Sequence, residues 1–216
     1  MTAILYGHPF SSYTQKALIA FYETGAAFEF RTVGPDQPQH GAELSALWPL
    51  GKFPLLKDGD LTLMEASIIV EHVDGLHGGR LIPVGKAGLE VRMLDRVFDN
   101  YVMTPTSKIV ADVMRPADAK DPPGVAEAHA VLETIYPWLE QRLSGREWAS
   151  GGDFSLADCA AAPSLFYADW VHPIPPDLAA LSAYRARLLA RPAFARAVDE
   201  ARPYRDYFPP GAPDRD

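Results

Sequence analysis

The sequence has only one cysteine, Cys159, among its 216 residues. A single cysteine cannot form an internal disulfide bond, so packing must hold the fold together, as is usual in a reducing compartment. No apolar stretch reaches about 18 residues, and we therefore expect no membrane-spanning helix. The first ten residues lack a basic region followed by a long apolar run. We therefore expect a cytoplasmic protein without an export signal.

Positive charge is also scarce. Lys and Arg together number 20 against 28 Asp and Glu, which gives a formal net charge of −8. A protein that binds nucleic acid mainly through its phosphates needs a cationic excess, so nucleic acid is not expected as the main partner. Hydrophobic residues make up 48% and charged residues 22%, which is typical of globular domains and argues against general disorder.

The first 76 residues are predicted to form a small domain with a mixed sheet. A strand, a helix and a second strand open the chain, and such a unit makes the two strands parallel. The pair Asp58-Gly59 between two apolar runs predicts a hairpin. The predicted β-α-β-α-β-β-α elements are strand 3–6, helix 12–24, strand 28–33, helix 42–47, strands 55–57 and 61–63, and helix 66–74.

The rest of the chain has a different pattern. Residues 77–88 are rich in glycine and contain a proline, which indicates a linker. Helical spacing dominates 89–216, and Pro105 is expected to bend one of the helices. The predicted fold class is therefore α+β, with a βαβαββα domain at 1–76 and an all-helical domain at 89–216.

The segment between the first strand and the first helix is the first candidate for chemistry. Ser11 and Ser12 stand where the helix begins, and the backbone N–H groups there are unpaired and partially positive. A hydroxyl at this point can donate to an anion above the helix end, although capping is the commoner role of such a serine. Because this loop has no cysteine, thiol–disulfide exchange is not expected.

Two further segments could hold a ligand. Pro54 opens a strand, which is compatible with a cis bond after Phe53 that would leave the Phe53 backbone free to pair with an extended peptide. Glu65 and Ser67 stand at the start of the third helix, where they could hold an amine and a carboxylate. From the residues alone, capping of that helix is the better interpretation of this pair.

Together, these segments resemble the glutathione transferase family over the whole chain. The specific features are Lys52-Phe53-Pro54, the Asp58-Gly59 hairpin, Glu65-Ala66-Ser67, and a capping box formed by Ser155 and Asp158. The resemblance implies a thioredoxin-like first domain, an all-helical second domain, a homodimer, and glutathione as co-substrate. A hydrophobic electrophile would bind between the domains. A serine-type class, theta-like or zeta-like, is expected.

The resemblance also implies a role for individual residues. Ser11 would be the catalytic residue, whose hydroxyl donates a hydrogen bond to the glutathione thiolate, with Ser12 and Tyr6 as alternative donors. Lys52 and His40 would meet the glycyl carboxylate. Asp99 would reach across the dimer to the γ-glutamyl amine. The residues implied in glutathione binding are Ser12, His40, Lys52, Phe53, Pro54, Glu65, Ala66, Ser67 and Asp99.

One departure from the family pattern keeps other functions open. The family often has a serine directly after the glutamate that holds the γ-glutamyl end, and this chain has Ala66 after Glu65. Conjugation of glutathione to an electrophile is the first hypothesis. Glutathione-dependent isomerisation, as in zeta-like members, and a non-catalytic binding or regulatory role are the alternatives, because fold alone does not fix function.

Overall fold

A computed structural model describes residues 2–215. Four strands form one mixed sheet in the order β2-β1-β3-β4. Strand β1 runs parallel to β2 and antiparallel to β3, and β3 pairs with β4 as a hairpin. The strands are β1 (Ala3–Gly7), β2 (Phe28–Thr32), β3 (Leu55–Asp58) and β4 (Leu61–Met64).

Helices cover both faces of this sheet and make up the second domain. A π-helical segment, Phe98–Met103, joins α4 to α5, and short 3-10 helices cover Ala117–Ala119 and Arg202–Tyr207. The α-helices are α1 (Ser12–Thr24), α2 (Pro38–Leu47), α3 (Ala66–Leu76), α4 (Gly85–Val97), α5 (Thr104–Val113), α6 (Pro122–Leu143), α7 (Leu156–Val171), α8 (Ala179–Leu189) and α9 (Pro192–Ala201).

The first domain has three layers. Helices α1 and α3 cover one face of the sheet, where Leu18 and Phe21 pack with Leu5 and Ile69. Helix α2 covers the other face through Leu44. The predicted order of elements and the hairpin at Asp58-Gly59 are confirmed, as is the α+β class. Helix α2 begins earlier than predicted because Pro38 occupies its first turn, where a missing N–H removes no hydrogen bond.

The second domain is all-helical, as predicted, and its first helix begins inside the predicted linker. Residues 85–88 belong to α4, so the irregular connection is shorter than 77–88. Pro105 lies in the first turn of α5, directly after the π-helical segment. A proline is well tolerated at this position, so the change in winding precedes Pro105 and does not occur at it.

The predicted capping box begins α7. The Asp158 carboxylate accepts from the Ser155 N–H at 2.9 Å and from the Ser155 hydroxyl at 2.8 Å. It also accepts from the Ala149 N–H and the Tyr184 hydroxyl, so one buried carboxylate joins three segments of the domain. Within 2–215, no helix combines the length and the apolar character that a bilayer crossing requires.

Helix α1 connects the two domains. It packs on α3 within the first domain and on α7 and α9 of the second. The single cysteine, Cys159, lies fully buried in α7, and burial raises the pKa of its thiol well above the ordinary range. Cys159 is therefore a packing residue, and the chemistry of the chain must lie elsewhere.

Candidate functional site

Ser11 is the N-cap residue of α1. Its backbone is extended, and its Oγ accepts a hydrogen bond from the Thr14 N–H at 3.3 Å. A hydroxyl that accepts in this way still has its own hydrogen to donate. No acceptor for that hydrogen is found in the part of the chain described by the structure. Ser11 can therefore cap the helix and donate to an anion at the same time, so the two interpretations of this serine are compatible.

A cavity of about 300 Å³, which we call the Phe53 cavity, opens beside the first turn of α1. Tyr13 of α1 and Arg96 of α4 form part of its wall. The cavity brings together six of the residues expected to bind glutathione, from three separate segments of the chain: Lys52, Phe53, Pro54, Glu65, Ala66 and Asp99.

The Phe53-Pro54 peptide bond is cis. Regular pairing of β3 with β4 begins only at Leu55, opposite Met64. The Phe53 N–H and C=O have no backbone hydrogen bond among the residues that are described. An extended peptide lying in the cavity could therefore pair with this segment as an added strand.

Glu65 has a backbone conformation that is rare for its residue type. Its φ of 70° places it in the left-handed region, and it is the one non-glycine residue described there. Such strain is typical of ligand-binding positions. Glu65 directly precedes α3, and its carboxylate has no hydrogen-bond partner within 2–215. The free N–H groups of the first turn of α3, including that of Ala66, lie next to it. The position therefore offers an anion for an amine and donors for a carboxylate.

A network of charges adjoins the Phe53 cavity, in which Lys16, Asp95 and Asp99 are buried and Arg96 is half exposed. The Lys16 ammonium lies 2.5 Å from Asp95 Oδ1 and 2.7 Å from Asp99 Oδ2. Arg96 Nη2 lies 2.6 Å from Asp95 and 2.7 Å from Asp99. Two cations therefore balance two carboxylates. Burial raises the pKa of Asp99, while the neighbouring Lys16 opposes that shift.

Ser67 and Asp99, both expected to bind glutathione, belong to this network. The Ser67 hydroxyl donates to Asp95 at 2.9 Å and accepts from the Lys16 ammonium at 2.8 Å, with only 8% of the residue exposed. Asp99 lines the cavity, but its carboxylate is bound by Lys16 and Arg96 of the same chain. Both side chains are engaged in the charged network, and at this helix start Glu65 and Ala66 line the cavity.

His40 lies elsewhere. It lines a second cavity of about 380 Å³ together with His8, Tyr204 and Tyr207, and we call this the His8 cavity. The His40 Nδ1 is 2.9 Å from the Thr32 carbonyl oxygen. The structure therefore does not bring His40 to the Phe53 cavity, where Lys52 is the exposed cation without an ion-pair partner in the described residues.

Tyr6 points to the face of the sheet that α2 covers, opposite the face that α1 covers. Its hydroxyl donates to Glu43 at 2.9 Å and accepts from Arg31 at 2.9 Å, between β2 and α2. Burial and the Glu43 carboxylate raise the pKa of Tyr6. Its hydroxyl is therefore engaged by Glu43 and Arg31, whereas the Ser11 hydroxyl still has a hydrogen to donate.

Ser11 is placed between the two cavities along the chain. His8, three residues before it, lines the His8 cavity, and Tyr13, two residues after it, lines the Phe53 cavity. The Ser11 N–H donates to the His8 carbonyl at 2.9 Å, and this hydrogen bond closes residues 8–11 into a tight turn. Residues on both sides of Ser11 in the chain therefore line a cavity, His8 the one and Tyr13 the other.

Sequence reasoning missed Tyr13 and Arg96 in the cavity wall, and Lys16 beneath it. The spacing of Asp95, Arg96 and Asp99 on one helix was an available signal, because residues three apart lie on one face. Nothing in the local sequence indicated that Lys16 would be buried, since a lysine in a helix is normally exposed.

Comparison with known proteins gives the same family for both halves of the chain. The sequence matches the family description "Glutathione S-transferase, N-terminal domain" over residues 5–81 and "Glutathione S-transferase, C-terminal domain" over 122–187. It is 30% identical over 202 residues to glutathione S-transferase 4 of Zea mays, covering 88% of each chain. It is 27% identical over 171 residues to glutathione S-transferase F7 of Arabidopsis thaliana, covering 76% of this chain and 82% of that one.

A solved structure with the same fold is that of a glutathione transferase from Phanerochaete chrysosporium with oxidized glutathione. The TM-score is 0.80 at 21% identity, covering 94% of this chain and 96% of that one. The relatives are phi-like, so the expectation of a theta-like or zeta-like class is not supported. The short loop around Ser11 is too small a part of the sequence to distinguish one serine-type class from another.

Proposed function

This chain belongs to the glutathione S-transferase family, and we propose that Ser11 donates the hydrogen bond that stabilises the glutathione thiolate. The chain is an enzyme that transfers the thiol of glutathione to an electrophilic small molecule. The observation that carries the assignment is the hydroxyl of Ser11, which begins α1 and keeps its hydrogen to donate, while residues before and after it in the chain, His8 and Tyr13, line the two cavities.

The energetics of thiol ionisation support a single hydroxyl donor. A free thiol has a pKa near 8.5, and only its thiolate is a nucleophile. Lowering that pKa by about 2 units requires roughly 2.7 kcal/mol of preference for the anion. A hydrogen bond to a charged group contributes about 1.5–3 kcal/mol, and a helix N-terminus adds about 0.3–1 kcal/mol. Ser11 at the start of α1 combines both effects.

The Phe53 cavity binds glutathione in this proposal. The Phe53 backbone pairs with the cysteinyl residue, which directs the thiol toward the start of α1. The Glu65 carboxylate accepts from the γ-glutamyl amine, and the Ala66 N–H donates to the adjacent carboxylate. Lys52 meets the glycyl carboxylate at the exposed end. Asp99 and Ser67 support this surface from below through Lys16.

The His8 cavity receives the electrophile. The rings of His8 and Tyr204 meet edge to face with centroids 4.5 Å apart, and Tyr207 stacks on His8 at 5.9 Å. Aromatic and apolar groups bind such surfaces well. The thiolate attacks the electrophilic carbon and forms a carbon–sulfur bond, while the leaving group departs with the electron pair. Ser11 keeps its proton throughout, so it acts as a hydrogen-bond donor and not as a base.

We also infer that the chain forms a homodimer. Large apolar side chains are exposed on α3 and α4, two helices joined by the ion pair of Glu71 with Arg92: Ile68 is 47%, Leu89 69% and Met93 46% exposed. Apolar groups clustered on one face are typical of protein–protein interfaces. Sedimentation of the purified chain tests this inference. Leu89→Glu should shift a dimer toward monomer, and an unchanged monomeric mass of both proteins would contradict the inference.

Steady-state conjugation of glutathione to a chromogenic aryl halide tests the role of Ser11. We expect Ser11→Ala to lower kcat by about 10²-fold, as removal of a single donor to a developing anion does elsewhere. Ser12→Ala is the matched control, a serine-to-alanine change at the neighbouring residue, and Tyr6→Phe removes the hydroxyl on the far side of the sheet. A larger loss of kcat in either control than in Ser11→Ala would overturn the assignment.

A further inference from the structure

Side chains from both domains form hydrogen bonds with the backbone of the loop that carries Ser11. The Phe10 N–H donates to His8 Nδ1 at 3.2 Å, and the Ser11 N–H donates to the His8 carbonyl. The Pro9 carbonyl accepts from Gln15 Nε2 at 3.0 Å. The Phe10 carbonyl accepts from the Tyr167 hydroxyl at 2.9 Å. A loop whose polar groups are satisfied in this way is held in one conformation.

Tyr167 is the member of this set that belongs to the second domain. It lies in α7, is 4% exposed, and reaches the loop across the domain boundary. Gln15 Nε2 also donates to the Tyr167 hydroxyl at 3.1 Å, so the two side chains and the two carbonyls form one connected group. Burial raises the pKa of Tyr167, so its hydroxyl remains protonated and can donate at neutral pH.

One polar atom of this hydrogen-bonded group, the amide oxygen of Gln15, is buried without a partner among the described residues. Gln15 is fully buried, and its Oε1 has no hydrogen-bond partner among residues 2–215. An apolar side chain would avoid that unsatisfied acceptor. The Gln15 amide instead donates to the Pro9 carbonyl and to the Tyr167 hydroxyl, which itself binds the carbonyl of Phe10, the residue that precedes Ser11. This placement indicates that the position of the loop matters more here than optimal packing.

We propose that Tyr167 is a positioning residue of the transferase reaction, which holds the Ser11 hydroxyl in place by its hydrogen bond to the Phe10 carbonyl. The inference rests on the proposed role of Ser11. It assigns part of the catalytic geometry to the helical domain. Loss of the Tyr167 hydroxyl would release the Phe10 carbonyl and let the loop shift, and small displacements of a catalytic donor reduce rates strongly.

A double-mutant cycle of Tyr167→Phe and Ser11→Ala tests the proposal, with kcat/KM and the pKa of the bound glutathione thiol as readouts. The phenylalanine ring retains the packing of Tyr167 on Phe10, whose centroid is 5.4 Å away. We expect Tyr167→Phe alone to lower kcat/KM about fivefold to tenfold and to raise the thiol pKa. In the Ser11→Ala background it should change kcat/KM by less than about twofold, because coupled residues are not additive.

Tyr136→Phe is the matched control. Tyr136 is also a buried tyrosine whose hydroxyl donates to a backbone carbonyl, that of His172 at 3.1 Å, but it lies in α6 away from the Ser11 loop. The control should lose stability without a change in thiol pKa. Gln15→Leu provides a second variant of the loop support and should raise the thiol pKa as Tyr167→Phe does.

The outcomes separate the two claims. A raised thiol pKa in Ser11→Ala with no change in Tyr167→Phe would overturn the positioning role alone. An equal loss of kcat/KM from Tyr167→Phe in both backgrounds would also overturn it, since Tyr167 would then act without Ser11. An unchanged thiol pKa in Ser11→Ala would overturn the role of Ser11 itself, and the positioning role with it.

Discussion

The Lys16 ammonium lies 2.5 Å from Asp95 Oδ1, with both side chains almost fully buried and in different domains. Lys16 comes from α1 and Asp95 from α4. The pair lies beneath the Phe53 cavity, with Asp99 and Arg96 completing the network. A charge buried at this depth is retained only with its partner in place. The network therefore connects the domains and supports the surface that we propose binds glutathione.

Lys16→Met should lower the free energy of unfolding by about 3–5 kcal/mol, because it leaves the buried carboxylates of Asp95 and Asp99 to share the half-exposed Arg96 as their one cation. Urea unfolding measures the change. Lys108→Met is the matched control: Lys108 faces Asp121 and Glu127 at 3.8 and 3.6 Å, and all three side chains are exposed. An exposed pair contributes about 0–1 kcal/mol. Equal effects of the two substitutions would contradict the structural role given to Lys16.

Glu65→Gly should separate backbone strain from ligand binding. Glycine adopts the φ of 70° at Glu65 without steric cost, so stability should be retained or raised by up to about 1 kcal/mol. The carboxylate that we propose binds the γ-glutamyl amine is lost. A charge-assisted bond contributes about 1.5–3 kcal/mol, so we expect glutathione affinity to fall tenfold or more. Thermal unfolding and calorimetric titration measure the two effects. A variant that binds glutathione as tightly as the parent would exclude Glu65 from the site.

Ala66→Ser should strengthen glutathione binding. Ala66 lines the Phe53 cavity at the first turn of α3, where a hydroxyl could add one hydrogen bond to the γ-glutamyl carboxylate. A hydrogen bond to a charged group contributes about 1.5–3 kcal/mol, which corresponds to an affinity about tenfold higher or more. Calorimetry with glutathione measures it. The control Ser67→Ala alters the adjacent residue, whose hydroxyl faces Lys16 and Asp95. Unchanged or weaker binding by Ala66→Ser would show that the carboxylate lies elsewhere.

Acid should weaken the fold through His172. Its Nδ1 is 2.9 Å from that of His129, and burial, followed by the charge of His129, lowers the pKa of His172 below its ordinary value of 6.5. The unfolded chain then binds this proton at a higher pH than the folded chain, so the stability is complete above about pH 6.5 and is lost as the pH falls through the folded pKa. Urea unfolding at about pH 7.5 and about pH 5 measures the loss. His172→Gln should reduce it, and an undiminished loss would contradict this assignment.

Much of the fold could be predicted because its signals are local. The Asp58-Gly59 pair specifies a hairpin, Gly25 ends α1, and Ser155 with Asp158 begins α7, each through contacts within a few residues. Hydrophobic spacing distinguished the mixed first domain from the helical second one. Boundaries were less accurate where a proline enters a first turn, as at Pro38, because tolerance of proline there leaves the helix start undefined in sequence.

The candidate site likewise has a part that the sequence could predict and a part that it could not. Lys52, Phe53 and Glu65 could be placed because a recognisable motif carries each of them. The interior of the site depends on contacts between distant segments, such as the 83 positions that separate Lys16 from Asp99. The hydroxyl of Ser67 is occupied by partners from two other helices, which no local pattern reveals. Tyr167, at 157 positions from Phe10, has no signal in the sequence near Ser11.

The pH dependence of thiolate absorbance for glutathione bound to the enzyme tests the central claim most directly. With the parent chain, we expect the bound thiol to ionise about 2 pH units below the free tripeptide. With Ser11→Ala, the midpoint should return most of that distance toward the free value. A bound thiol that ionises at the same pH in both proteins would contradict the role of Ser11.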